Sequence, residues 1–215
     1  MRAVRADRSQ VAFSRRVGCS SNVAAEWESG RRVPSAATAL SCCARVGIDV
    51  TAALARFHTA TAPLIQVRGK GKRAQVDAQS IAEWLAAHRG RTRATEIAAR
   101  SGLSTFRLSR IFNGKSGVNL ADFFLLVSVM TDRLTDLVAA LVDIRSVPHA
   151  ARVHAELEAS RELAFSQPWT SAVLALLETE SYLASHEPAA DFLTQRLASL
   201  QRPWTKPCAG SSAPA

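Results

Sequence analysis

The sequence predicts an all-α protein, and three observations carry that expectation. Alanine, leucine and arginine, all good helix formers, are abundant, whereas there is only one tyrosine in 215 residues. No stretch alternates apolar and polar residues with period two for long, so nothing points to a half-buried strand. The chain also repeats itself at an offset of 84 residues, which reads most economically as two copies of one helical unit. With 47% hydrophobic residues, the chain has ample material for a packed core.

The repeat runs without a gap. Phe13 aligns with Ile97, Ser14 with Ala98, Arg16 with Arg100, Gly18 with Gly102, Ser20 with Ser104 and Gly30 with Gly114. Further on, Ala37 meets Ala121, Leu40 meets Phe124, Val46 meets Met130, Thr51 meets Thr135 and Phe57 meets Leu141.

Within the first copy, Ser9 is a good N-cap for a short helix over Gln10 to Val17, with Val11, Phe13 and Val17 expected inward. Gly18 stops that helix, because glycine takes the left-handed conformation without a Cβ clash and lets the chain turn within three residues. Ser20 is expected to cap a second helix through Asn22 to Glu28. Two helices that cross after so short a turn need a small residue four positions before the glycine, where Ser14 and Ala98 stand. Ala24 and Trp27 should point inward, as should Leu108 and Ile111 in the second copy. Amphipathic helices then follow at about Ser35 to Val46 and Leu120 to Met130, and again at Val50 to His58 and Leu134 to Val142.

The string SQVAFSRRVGCSSNVAAEWESGRRVPSAATALSCCARVGID resembles the Cro/C1-type (XRE) helix-turn-helix domain of phage repressors. Its Ser-Gln at the start of the positioning helix and its Trp-Glu-x-Gly after the recognition helix carry the likeness. The second copy, TEIAARSGLSTFRLSRIFNGKSGVNLADFFLLVSVMTDRLTDLVAAL, keeps the small-x3-Gly-Leu-Ser turn and the Asn-Gly end. It departs from the pattern at Ala94, which replaces the Gln, and at Ile111-Phe112, which replaces Trp-Glu. The layout is also loosely similar to uncharacterised myxobacterial helix-turn-helix regulators. The resemblance implies two tandem five-helix bundles and a transcriptional regulator that reads double-stranded DNA in the major groove.

Carried over by position, the resemblance assigns base contacts to Ser21, Asn22, Ala25 and Glu26 in the first copy. In the second it assigns them to Thr105, Phe106, Arg107, Ser109 and Arg110. Asn22 suits adenine, Glu26 suits the cytosine amine, Arg110 suits guanine in bidentate fashion, and Phe106 suits a thymine methyl. Gln10, Arg31 and Arg32 are the expected phosphate-positioning groups. The run Arg68, Lys70, Lys72 and Arg73 either tracks phosphates between the copies or is a solubilising linker. A pair of copies in one chain would replace the usual dimer if the recognition helices sat about 34 Å apart.

Charge agrees with a polyanionic partner. The net charge is +9, and residues 1 to 60 carry 9 basic and 4 acidic groups while residues 61 to 145 carry 13 and 7. Residues 146 to 215 carry 5 and 7, so the basic surface belongs to the first two thirds. Cys19, Cys42, Cys43 and Cys208 match neither a zinc site nor a disulfide framework, and they read as reduced thiols. The five histidines His58, His88, His149, His154 and His186 have no ligand spacing, so no metal or cofactor is expected. Glu178 and Glu180 lie on different faces of a helix, RGKGK fails the phosphate-loop test, and no nucleophile elbow occurs, so no enzymatic activity is expected. Absence of a signal peptide or an apolar membrane-spanning run predicts a cytoplasmic, nucleoid-associated protein with no membrane partner.

These signals divide the chain into a first helix-turn-helix domain at 1–58, a basic linker at 59–79 and a second, divergent domain at 80–145. A C-terminal helical segment follows at 146–202, and a tail at 203–215 is expected to be disordered. The segment should form helices at Pro148 to Phe165, Pro168 to Ser185 and Pro188 to Leu200. Leu163, Phe165, Trp169, Val173, Leu176, Leu177, Tyr182, Phe192 and Leu197 are expected to give these helices an inward face, for dimerisation or a protein partner. The alternative to a regulator is a protein-interaction adaptor or anti-repressor that uses the same fold without specific DNA binding.

Overall fold

The structure is a computed structural model that describes residues 1–167, 169–184 and 188–200. It is all-α apart from one two-stranded hairpin among the described residues. The chain divides into two compact units, Met1–Ala155 and Glu156–Ala215. Both copies of the repeat therefore lie in the first unit.

Its helices are α1 (Arg2–Arg5), α2 (Gln10–Arg16), α3 (Val23–Glu28), α4 (Ala36–Val46) and α5 (Val50–Phe57), then α6 (Ala78–Arg89), α7 (Ala94–Ser101), α8 (Thr105–Phe112), α9 (Leu120–Thr131) and α10 (Leu134–Leu141). Shifted by 84 residues, α2 falls on α7, α3 on α8, α4 on α9 and α5 on α10, with starts that agree within two residues. α1 corresponds to the last turn of α6. Asparagine, aspartate and serine caps set most of these starts: Ser9, Ser35, Asp49, Asp77, Ser104 and Asn119 each accept a hydrogen bond from a first-turn N–H.

Gly18 and Gly102 end α2 and α7 with φ of 80° and 70°. A side chain at either would meet the left-handed penalty, so the glycines make the sharp turn possible at both equivalent places.

The two copies meet at a seam that repeats itself on both sides. The Ala36 N–H donates to Val118 O at 2.9 Å, and the Leu120 N–H donates to Pro34 O at 2.9 Å. Ala36 is the equivalent of Leu120, and Pro34 of Val118, so the pair of bonds brackets an antiparallel bridge between the equivalent residues Ser35 and Asn119. Such reciprocity, residue i on j and j on i, is the mark of an internal twofold relation. α5 packs along its own equivalent, α10, and the Arg56 guanidinium donates to Ala140 O at 2.7 Å, again between equivalent positions. Leu40, Cys43, Leu54 and Phe57 of the first copy share one buried cluster with Trp84, Ile97, Leu108, Phe123 and Leu126 of the second.

The segment expected as a linker is folded. It forms 3₁₀ turns at Ala62–Leu64 and Gly71–Arg73 and the antiparallel strands β1 (Val67–Arg68) and β2 (Gln75–Val76). Ala62, Ile65, Ala74 and Val76 are buried, so the segment is part of the core rather than a free linker. The hairpin lies on α4: the Val76 N–H donates to Ser41 Oγ at 2.8 Å and the Arg45 Nε–H donates to Ala74 O at 2.8 Å.

Other expectations need smaller corrections. Val11 is 46% exposed, because at 100° per residue it lies opposite the Phe13 and Val17 stripe. Trp27 is half-buried against the Phe13 cluster, while Leu108 and Ile111 are buried as expected. Cys42 and Cys43 are buried free thiols and Cys19 is half-buried; Cys208 and the tail lie outside the described residues.

From Pro148 the chain forms α11 (Pro148–Ser166), then α12 (Trp169–Leu177), α13 (Glu180–Leu183) and α14 (Ala189–Leu200). The helix expected over Pro168 to Ser185 is thus broken after Leu177, where the Glu178 and Thr179 N–H groups turn back to Leu174 and Leu176. In the second unit, Tyr182 packs on Phe192 with ring centres 5.1 Å apart, and Phe192 is buried. Phe165 (88% exposed), Leu163 and Trp169 are not part of an inward face. His186 lies outside the described residues, as does the side chain of Leu197. Among the described residues, no single helix is long and apolar enough to cross a membrane.

Candidate nucleic-acid interface

In the first copy the turn between α2 and α3 is fixed by Ser14. Its buried hydroxyl donates to Gln10 O at 2.8 Å and accepts from the Ala24 N–H at 3.2 Å. One small side chain therefore both permits the close crossing and satisfies a first-turn donor of the next helix. Ser20 does not cap α3, contrary to expectation. The helix begins at Val23 with Asn22 at the N-cap, and the Asn22 amide oxygen lies 3.4 Å from Ser14 Oγ. A Ser-Ser-Asn run favours turns over helix, and Ser14 already supplies the cap from across the crossing.

Ser21 and Asn22 are exposed at the head of α3; Ala25 and Glu26 are half-buried on it. Glu26 faces Arg32 at 3.9 Å across the turn that ends α3. Arg31 and Arg32 are both exposed. Gln10 is engaged within the fold: its amide donates to Glu28 Oε2 at 2.8 Å, and Arg5 Nε donates to Glu28 Oε1 at 2.8 Å. The Arg5 guanidinium holds the Glu28 carboxyl below its usual range, with the Gln10 bond adding to the effect. Arg5 is the member of this set that sequence reasoning missed. No sequence pattern pointed to residue 5.

In the second copy Ser104 caps α8 as expected, accepting from the Arg107 N–H at 3.2 Å. Thr105, Phe106, Arg107, Ser109 and Arg110 are all exposed on one short helix, and Phe106 is 72% exposed. The cations have partners. Arg107 bonds Asp122 of α9, while Arg110 stands over the Phe106 ring at 5.8 Å and donates to Lys115 O at 3.0 Å. Ser109 Oγ accepts from the Asn113 amide at 3.3 Å.

The hairpin gathers Arg68, Lys70, Lys72 and Arg73, all exposed, into one short basic tip. Arg68 pairs with Asp77 at 3.5 Å. Gly69 makes that tip possible, since a Cβ there would sit 2.7 Å from Arg73 O.

The structure thus presents two exposed helix heads at equivalent positions of an internal twofold, and a separate basic hairpin. The exposed cations of the hairpin tip, with Arg31 and Arg32, suit an anionic polymer. Compared with known proteins, the chain finds no match: no family model, no curated protein and no solved structure corresponds to it.

Proposed function

We propose that the chain is a sequence-specific double-stranded DNA-binding transcriptional regulator, built on two tandem Cro/C1-type helix-turn-helix units. The observation that carries this reading is the reciprocal seam, Ala36 to Val118 and Leu120 to Pro34, which relates two glycine-turned helix pairs by an internal twofold. Dimeric readers of palindromic DNA use the same symmetry between chains. Here one chain supplies both halves. The basic tip and Arg31, Arg32 position the backbone, while Ser21, Asn22, Ala25 and Glu26 stand at the head of α3 to read bases.

The test is enrichment of double-stranded sequences from a random library by the full chain, followed by anisotropy titrations across salt. Enrichment of a site with two related half-sites is expected, with affinity that falls steeply as salt rises. Combined Asn22→Ala and Glu26→Ala should weaken the enriched site about tenfold or more while leaving random DNA bound as before. No enrichment, or binding indifferent to salt, overturns the reading.

One observation favours the adaptor alternative for the second copy. Arg107 and Arg110 are held by Asp122, Lys115 and Phe106, and the aromatic ring of Phe106 stands 72% exposed on α8. If the enriched site holds a single half-site and Phe106→Ala leaves DNA binding intact, the adaptor reading of the second copy is favoured.

A further inference from the structure

The twofold seam is imperfect in one place, and the imperfection leaves a cavity. On α9 the seam-facing residues Leu120 and Phe123 are large, and Phe123 packs on Trp84 with ring centres 5.6 Å apart. Their equivalents on α4 are Ala36 and Ala39. Where Phe123 fills space in the second copy, Ala39 leaves it in the first. The resulting cavity has a volume of about 230 Å³ and is lined by side chains of both copies, among them Ala39, Leu40 and Cys43 on one side and Phe124, Val138 and Leu141 on the other.

Its side-chain walls are apolar apart from the Cys43 thiol, and Met1, whose amino group burial holds below its usual pKa, completes the lining. Burial pushes that thiol up to about 12, so it is protonated and neutral near pH 7. The cavity is partly open to solvent, but its mostly apolar walls give water few polar partners inside it. An apolar space of roughly 150 Å³ accepts benzene, so on the same scale this one holds about nine heavy atoms. That volume takes one small molecule rather than the row of side chains with which a partner helix docks.

We infer that this cavity is a binding site for a small, uncharged, largely hydrocarbon molecule, which closes the seam between the two copies. The ligand occupies the space that Ala39 leaves open in the first copy, against a wall to which Leu120 and Phe123 also contribute. It touches α4 on one side and α9 and α10 on the other, so binding ties the copies together whatever the chain recognises outside. The inference does not depend on DNA recognition.

Toluene is the probe, used with the full chain. Saturable transfer of magnetisation from protein to toluene is expected, with nuclear Overhauser contacts to Leu40, Phe124 and Val138 and a melting temperature that rises with toluene concentration. Ala39→Phe, which makes the first copy like the second, should abolish the transfer and the rise. No saturable transfer to the wild-type chain overturns the inference. So does a folded Ala39→Phe chain, judged by circular dichroism, that binds toluene as before. If that variant fails to fold, the wild-type contacts decide: contacts confined to residues outside the cavity overturn the site.

Discussion

In the first copy the helix after the turn starts at Val23 and takes its cap from Ser14, on the helix before it; in the second it starts at Thr105 and is capped by its neighbour Ser104. The glycine turn is the same and the backbone path is equivalent, yet the donor of the following helix is satisfied by different chemistry. Where α2 carries Ser14, α7 carries Ala98, which has no acceptor to offer. The second copy therefore depends on a local cap, and its exposed helix is two residues longer at its N-terminal end. A similar trade appears at the seam. The second copy fills its interior with Leu120 and Phe123, whereas the first has alanines there and recruits the hairpin onto α4 through Ser41 and Arg45.

The strongest way to break this comparison is to empty the side that is full. Phe123 is buried against Trp84 in a cluster shared by both copies. Phe123→Ala should cost about 3–5 kcal/mol in urea unfolding. Because the core is shared, amide exchange should accelerate in α4 as well as in α9. Acceleration confined to α9 would mean that the copies are independently stable, and the shared-core description would fall.

Exchanging the caps gives a smaller effect that sharpens the comparison. Ser14→Ala removes the acceptor of the Ala24 N–H in a buried place, and should cost about 1–2 kcal/mol. Ser104→Ala should cost about 1 kcal/mol, since its helix head is exposed and water replaces the lost acceptor. Ser20→Ala should change stability by no more than about 0.5 kcal/mol, because Ser20 caps nothing. Equal losses at Ser20 and Ser14 in chemical denaturation would restore the cap that the sequence suggested.

Residues that act locally were the ones the sequence disclosed. Gly18, Gly102, Ser9, Ser104 and the stripes of Phe13, Val17, Leu108 and Ile111 are governed by the backbone within a turn or two, and the spacing of 84 placed both copies in register. The seam was hidden, since the hydrogen bonds of Ala36 and Leu120 join residues whose own patterns say nothing of a partner. The hairpin at 67–76 was hidden for another reason: two-residue strands are too short to show a period, and the basic run masked the buried Ala74 and Val76. At the candidate interface, exposure of α8 and the basic tip followed from the pattern. The pairing of Gln10 with Glu28 and of Arg107 with Asp122 did not, because each needs the third dimension to bring distant side chains together.

The smallest expected effect lies where the copies meet around His88. Its ring lies tilted against Trp84 with centres 3.9 Å apart and stacks on Phe57 of the first copy at 5.7 Å. Its Nδ1–H donates to Trp84 O at 3.0 Å, and Nε2 lies 3.4 Å from the Thr61 hydroxyl. The His58 ring lies edge-on at 5.1 Å, and Arg133 stands over Phe57. Burial lowers the His88 pKa from its usual value near 6.5, with His58 and Arg133 acting in the same sense and the Trp84 carbonyl opposing. As pH falls through that usual value, the unfolded chain takes up a proton before the folded one does, so stability declines. Glu28 and Asp143 do not mask this, since their lowered carboxyl pKa values move their contribution to more acid conditions, whereas the Met1 amino group, lowered by burial from 8.0, adds a decline of the same sign that the His88 variant keeps. Urea unfolding at pH 7.5, 6.5 and 5.5 should show the decline in the wild-type chain and a flatter profile in His88→Phe. An unchanged slope in the variant would mean that this aromatic junction between the copies carries none of the pH dependence.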